Sequence, residues 1–319
     1  MTKMKAVHFN EYNAPLELSE IAKPEPKPFE VLIRVAYAGI NPVDYKIYEG
    51  LKTRLPSKLP IIPGWDVSGE IEAVGSEVEN LKVGDAVMAF CRKPIIQNGT
   101  YAEYVTFFAE HVVKKPSNIT FAQAATVPLV TLTAWQALFD AGHLHQGQKV
   151  LIQAGAGGVG GYAIQFAKYA GAQVVTTARK ENHDYVKQLG ADFAIDYTQG
   201  SVAERVKKWA PKGVDVAFEM IGGKSMEETL LSVKPGGYVA TILEQVDPEA
   251  AAKAEVYYGY VFVRPCGMQL SKIAELIQIN RIKVPEVQEF SLAQFNEALE
   301  SQKSGRTGGK IVLRVRDIK

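Results

Sequence analysis

The chain has 319 residues, more than one hydrophobic core usually fills, so two domains are expected. Its 36 basic and 35 acidic side chains nearly cancel, with no block or stripe of one sign; nucleic acid or an anionic membrane surface is therefore unexpected as the main partner, and a small ligand is favoured. The two cysteines, Cys91 and Cys266, form neither a CxxC pair nor a disulfide framework, the first residues lack an apolar signal core, and no stretch approaches membrane-spanning length, which together favour a soluble protein of a reducing cytoplasm.

Up to about residue 120 the pattern is of short strands. They are expected at Val31–Ala38, Val67–Val74, Ala86–Phe90 and Tyr101–Phe107, separated by Gly, Pro and Asp turns, as in a compact β-rich or barrel-like unit. The Pro-rich stretch Lys23–Pro28 reads as a stiff turn between strands. After Thr120, strands alternate with helical patterns: Val150–Gln153, Val174–Thr177, Phe193–Asp196, Val214–Phe218, Tyr238–Ile242 and Tyr258–Val263. That alternation predicts an α/β fold with a doubly wound parallel sheet. Ser201 with Glu204, and Ser291 with Gln294, have the spacing of capping boxes at helix starts. The tail from Pro265 holds two helical segments and the strand Ile311–Val315; it is too long to extend the sheet and is expected to return to the first domain. The expected domains are therefore residues 1–122 with 265–319, and residues 123–264.

The most informative segment is Gly147–Lys168, GQKVLIQAGAGGVGGYAIQFAK. A buried strand runs into a glycine turn and then into an amphipathic helix, which is the cradle of a dinucleotide pyrophosphate. Gly155 permits the tight turn, Gly157 lets backbone approach the phosphates, and Gly160 lets helix and strand pack closely. The amide groups and positive dipole end of the helix, at Gly158 and Val159, face the anion. The next strand ends in Thr176, Thr177, Ala178, Arg179 and Lys180, where an NAD-binding chain would carry a carboxylate. Arg179 and Lys180 suit a ribose 2′-phosphate and so point to NADPH; the alternative is that both simply begin the next helix on a solvated face. Glu181 and Asp184 lie past the strand crest.

With these residues in view, the chain resembles the zinc-independent quinone oxidoreductases of the medium-chain dehydrogenase/reductase superfamily, the zeta-crystallin type included. The resemblance covers essentially the whole chain. It rests on Gly147, Gln148, Leu151, Gly157, Gly158, Gly160, Gln165 and Lys168 of the glycine segment, and on AGINPVDY (Ala38–Tyr45), PGWDVSGEIEAVG (Pro63–Gly75), VGDAV (Val83–Val87), GTYAEYV (Gly99–Val105) and GGKIVL (Gly308–Leu313). It implies a GroES-like catalytic domain built from both chain ends, a Rossmann domain between them, and a cleft where nicotinamide meets substrate. Zinc-dependent relatives hold their metal with a Cys, a Gly-His-Glu histidine and a second Cys. The corresponding positions here resemble Asn41 and Trp65, and no Cys lies between Phe121 and Asp140, so no metal is expected. His143 and His145 lack neighbouring thiolates or carboxylates and read as surface or helix-end residues.

The resemblance further implies that Asn41 and Tyr45 orient the nicotinamide ring or the acceptor oxygen. The alternatives are a turn or helix N-cap ahead of Pro42 for Asn41, an apolar wall for Tyr45, and a loop anchor for Asp44. Tyr48 and Trp65 are candidate pocket lining. Thr133 resembles the family threonine beside the nicotinamide, and Tyr197 the aromatic by the adenosine phosphate. Strand-end geometry adds Thr177, Ile221, Gly222, Ile242, Leu243, Phe262 and Val263 as cofactor contacts. Without a metal, the acceptor must be one that takes hydride at an electron-poor carbon while charge develops on a conjugated oxygen. The expected activity is NADPH-dependent reduction of quinones or of other α,β-unsaturated carbonyl compounds. The alternatives are a reductase of enal and enone double bonds and, from another class, an NADPH-binding protein with a structural, sensing or RNA-associated role. The family also implies a homodimer joined through the sixth strands, Tyr258–Val263 being read as an apolar edge.

Overall fold

The structure, a computed structural model, describes residues 2–50, 55–243, 246–305 and 309–317. Gly308 of the GGKIVL motif lies outside the described residues. The chain forms two compact units, Met1–Leu129 with Pro265–Lys319, and Val130–Arg264. The first boundary thus falls later than the 122–123 read from the sequence. Helix Phe121–Ala124 packs on the strands Glu30–Gly39 and Asp66–Val74 of the first unit, and the Leu129 amide donates to Asp66 Oδ1 at 2.8 Å.

Within Val130–Arg264, six strands form one parallel sheet: β1 (Lys149–Ile152), β2 (Gln173–Thr177), β3 (Phe193–Ile195), β4 (Val214–Glu219), β5 (Val233–Thr241) and β6 (Tyr257–Tyr260). Their spatial order is β3-β2-β1-β4-β5-β6. Val150, Leu151 and Ile152 are apolar at every position because a central parallel strand is covered on both faces. Leu151, Val175, Ala217 and Val239 share one core with Val206 and Leu230. Helix Gly158–Tyr169 buries Tyr162, Ala163, Ile164, Phe166 and Ala167. The strand order reverses between β1 and β4, the switch point at which doubly wound sheets open a crevice beyond their carboxyl ends.

Two strand limits depart from the sequence reading. β5 begins at Val233, with an irregularity in its pairing between Val214 and Val216 of β4. β6 ends at Tyr260, so Phe262 and Val263 are not in a strand. There the backbone turns to a side chain instead of a strand neighbour: the Arg264 amide donates to Gln136 Oε1 at 3.0 Å, and Gln136 Nε2 donates back to the Arg264 carbonyl at 2.9 Å. On this edge strand Tyr257 is 69% and Tyr258 38% exposed.

In the other unit, Val287–Ser291, Lys310–Arg314, Glu30–Gly39, Asp66–Val74, Ala86–Phe90 and Val112–Lys114 follow one another across a sheet, and Tyr104–Phe108 also pairs with Glu30–Gly39. The mostly apolar strand Glu30–Gly39 is central and buried along nearly its whole length, and its Val31, Ile33 and Val35 pack with Val67, Val87 and Phe107. The carboxyl-terminal strand joins antiparallel to it, with Val312 opposite Gly39. Smaller pairs are Lys3–His8 with Glu17–Ala22, and Ser57–Ile62 with Ile96–Asn98. Tyr101 lies before its expected strand, which starts at Tyr104, because its side chain is drawn into a buried polar cluster. Ser291 and Gln294 do form a capping box. Ser201 accepts from the Glu204 amide at 3.2 Å but donates to Glu228 at 2.7 Å, so the reciprocal half of that box is replaced by a tertiary contact.

Candidate functional site

In the parallel-sheet unit, β1 leads through Gln153 and Ala154 into the glycine turn. The left-handed residue of this turn is Ala154, at φ +50°, and not Gly155. Gly155 is required for a different reason: a Cβ there would lie 2.0 Å from Thr176 Oγ1, so only glycine lets the turn lie against β2. A Cβ on Gly160 would lie 2.2 Å from the Ala154 carbonyl oxygen, which explains the close seat of the helix on the turn. Gly157 differs, because its Cβ would meet only that same oxygen, at 3.2 Å. Packing does not demand glycine at 157, yet Gly157 and Gly158 are exposed at the helix start and Val159 is half-buried. The Gly157 amide is used within the turn, donating to the Ala154 carbonyl at 2.9 Å, and the first intrahelical amide bond is that of Gly161 to Gly157, so the Gly158 and Val159 amides at the helix start are left for an anion. This cradle fits a dinucleotide pyrophosphate.

At the end of β2, Arg179 and Lys180 are exposed and Arg179 precedes a short 3₁₀ turn, Lys180–Asn182. Arg179 Nε donates to the Tyr197 hydroxyl at 3.1 Å, bringing the end of β2 and the residue after β3 together on the surface. Thr177 is placed otherwise: fully buried, it accepts from the Ala154 amide at 3.0 Å and donates to Gln153 Oε1 at 2.7 Å, so it braces the turn from beneath. Beyond β4 and β5, Ile221 is 48% and Leu243 43% exposed, and Gly222 has φ +80°. Ile242, Phe262 and Val263 are half-buried, and Thr133 is buried in helix Pro128–Trp135. The carboxyl ends of the strands therefore present an apolar rim beside the glycine turn. His143 and His145 are exposed, and among the described residues no group of three or more His, Cys, Asp or Glu could hold a metal ion.

In the other unit, Asn41 caps helix Pro42–Tyr48. The Asp44 carboxylate reaches back to the Asn41 amide at 2.8 Å, as in a capping box. The Asn41 side chain is 0% exposed: its Nδ2 donates to Asp66 Oδ2 at 2.9 Å and its Oδ1 accepts from Lys310 Nζ at 2.7 Å. The amide expected to face an acceptor carbonyl is thus occupied internally. Lys310 also donates to the Ile40 carbonyl at 3.1 Å, and the Tyr101 hydroxyl donates to Asp44 Oδ2 at 2.9 Å. Burial pushes Asp66 up to about 7 and Asp44 up to about 6, with the Lys310 ammonium opposing both shifts, and burial likewise lowers Lys310. Tyr101 is raised well above its ordinary value by burial and by the Asp44 charge. Tyr45 is partly exposed on the capped helix, whereas Tyr48 meets Phe9 edge-on at 5.5 Å and the buried Trp65 meets Phe90 at 5.9 Å. Tyr48 and Trp65 therefore have packing partners within their unit. Asp66, Tyr101 and Lys310 were missed from the sequence; for Asp66 and Lys310 the available signal was a charged residue inside an apolar strand pattern, which requires a buried partner, and Tyr101 offered none.

Residues 27–117 match the family model described as alcohol dehydrogenase GroES-like domain, and residues 158–243 match the one described as zinc-binding dehydrogenase. The NADPH-dependent alkenal/one oxidoreductase of Arabidopsis thaliana chloroplasts is 34% identical over 98% of this chain and 79% of its own length. The quinone oxidoreductase of Pongo abelii is 32% identical over 97% of this chain and 98% of its own. Among solved structures, the quinone oxidoreductase from Coxiella burnetii superposes with a TM-score of 0.87 at 33% identity, covering 99% of this chain and all of that one.

Proposed function

We propose, from the premise that this chain belongs to the quinone oxidoreductase-like group of the medium-chain dehydrogenase/reductase superfamily, that it is an NADPH-dependent oxidoreductase reducing quinones and other α,β-unsaturated carbonyl compounds without a metal ion. The observation that carries the choice of cofactor is the exposed Arg179 beside Tyr197 at the end of β2, next to an open glycine turn. A guanidinium there favours a 2′-phosphate over a bare hydroxyl. Bound NADPH supplies the hydride.

The helix-start amides from Gly158 hold the pyrophosphate, Arg179 and Lys180 hold the 2′-phosphate, and Ile221 and Leu243 cover apolar cofactor surface. Tyr45, partly exposed on the helix that Asn41 caps, donates from its hydroxyl to the acceptor oxygen as charge develops on it. Asn41 and Asp44 act one step back by holding the helix that carries Tyr45. The donor set supports a metal-free reaction: the Asp44 and Asp66 carboxylates already face an ammonium, and Asn41 and Trp65 stand where soft ligands would be needed. We also place the protein in the cytoplasm as a homodimer, which cell fractionation and sedimentation test.

The deciding experiment follows NADPH consumption with a panel of quinones, enones and saturated aldehydes, with and without chelator. Acceptor-dependent turnover of the conjugated compounds, unaffected by chelation, is expected. Turnover of saturated aldehydes alone, or loss of activity with removal of bound zinc, refutes the metal-free scheme. Tight NADPH binding without turnover of any acceptor would favour the binding-protein alternative.

A further inference from the structure

Beneath the carboxyl ends of β1, β2 and β4, fully buried polar side chains form a continuous relay of hydrogen bonds. The Ala154 amide donates to Thr177 Oγ1 at 3.0 Å, and the Thr177 hydroxyl donates to Gln153 Oε1 at 2.7 Å. Gln153 Nε2 donates to Thr229 Oγ1 at 2.8 Å, whose hydroxyl donates to Glu219 Oε2 at 2.6 Å. Glu219 Oε1 accepts from the amides of Ile221 at 2.6 Å and Gly222 at 3.0 Å, and Ser225 Oγ donates to Oε2 at 2.9 Å. Gln153, Thr177, Glu219 and Thr229 are all buried.

The polarity of this relay is fixed by counting hydrogens. Each threonine hydroxyl has one proton to give. Thr177 already accepts from a backbone amide, so its proton goes to Gln153 oxygen, and the Gln153 nitrogen must then give to Thr229. Thr229 in turn needs an acceptor beyond it, which Glu219 supplies. The two ends of the relay are the left-handed residue that opens the glycine turn and the backbone turn after β4. These flank the β1/β4 switch point, where the strand order reverses. A buried carboxylate taking four donors is a stiff anchor, because each charge-assisted bond is short and directional.

We propose that Glu219 and Gln153 are positioning residues that preset the two walls of the cofactor crevice, the glycine turn and the Ile221–Gly222 turn, in their binding geometry; this rests on the NADPH reading above. Glu219→Gln is the discriminating change. A Gln at 219 keeps an oxygen for the two amides but turns a donor toward Thr229, which then has two donors and no acceptor for its own proton. Flipping Gln153 only moves the orphaned proton to Thr177. The double change Gln153→Glu with Glu219→Gln restores every pairing with reversed polarity: the carboxylate at 153 accepts from both threonines, and the amide at 219 donates to Thr229 and Ser225.

The test measures NADPH dissociation constants by calorimetry on the full-length protein, with KM and kcat alongside and near-ultraviolet circular dichroism to verify folding. Glu219→Gln should weaken NADPH binding about tenfold, the scale expected for one unsatisfied buried hydrogen-bonding group. The loss should fall on KM for NADPH rather than on kcat. The double variant should recover most of the affinity. Thr229→Val, which cuts the same relay with little change of volume, should show the same loss and serves as the probe if the double variant does not fold. An unchanged dissociation constant in folded Glu219→Gln or Thr229→Val, or a folded double variant no better than Glu219→Gln, overturns the inference alone. Failure of the unaltered protein to bind NADPH overturns it together with the functional reading.

Discussion

Replacing Lys310 by Met tests the physical account of the buried polar cluster around Asn41 most directly. The ammonium is buried, bonds Asn41 Oδ1 at 2.7 Å and the Ile40 carbonyl at 3.1 Å, and opposes the burial cost of Asp66 and Asp44. Methionine keeps much of the volume but leaves two buried carboxyl groups without their cation. Removing one partner of a buried charge cluster costs about 3–5 kcal/mol, and this is the deficit expected at pH 8. The pH dependence follows from the direction of the shifts. Asp66 rises from 3.8 to about 7 on folding and Asp44 to about 6, so each favours folding fully below about pH 4, and that contribution is lost as pH rises through the folded value. Without Lys310 both rise further, and the loss continues above pH 7. At pH 5 the carboxyls of the variant are protonated, and the deficit shrinks to the lost hydrogen bonds, about 1–2 kcal/mol. Urea unfolding of both proteins at pH 5 and pH 8, followed by far-ultraviolet circular dichroism, measures the difference. A deficit equal at the two pH values, or below about 1 kcal/mol at pH 8, would refute the reasoning.

Three further outcomes follow from the same geometry. Arg179→Gln should weaken NADPH about tenfold or more while leaving NADH nearly unchanged, as steady-state KM values for the two cofactors will show. Gly160→Ala forces a Cβ to 2.2 Å from a backbone carbonyl and should destabilise by about 1–3 kcal/mol, whereas Gly157→Ala should stay within about 0.5 kcal/mol of the parent and lose NADPH affinity; thermal unfolding and calorimetry separate the two. Asn41→Ala removes a buried partner from both Asp66 and Lys310 and should cost about 2–4 kcal/mol in chemical denaturation, a range that an exposed ligand-facing amide would not reach.

The contrast between the two units explains what could be read in advance. The glycine segment was legible because strand, turn and helix start are consecutive, and so was the Rossmann alternation of apolar strands and capped helices. The reason for Gly155 was not, since its constraint is Thr176, a residue of the neighbouring strand. Thr177 reads as a strand-end cofactor contact until the fold turns its hydroxyl inward to Gln153. The polar cluster was out of reach for a related reason: Lys310 and Asn41 are 269 positions apart. Nothing local in KIVL says which carboxylate or amide a lysine will meet. Asp66 was passed over for its neighbour Trp65, although a carboxylate between an indole and a valine in an apolar strand already demanded a partner.

Alone, the order of residues determined the strand-turn-helix cradle, the absence of a carboxylate at the end of β2 and the α/β architecture, because each depends on neighbours within a few positions. Tertiary structure decided which polar groups are consumed internally and which remain for a ligand. Asn41 and Thr177 look alike as candidates in one dimension, yet burial and the partners brought from other strands commit both to holding the protein together.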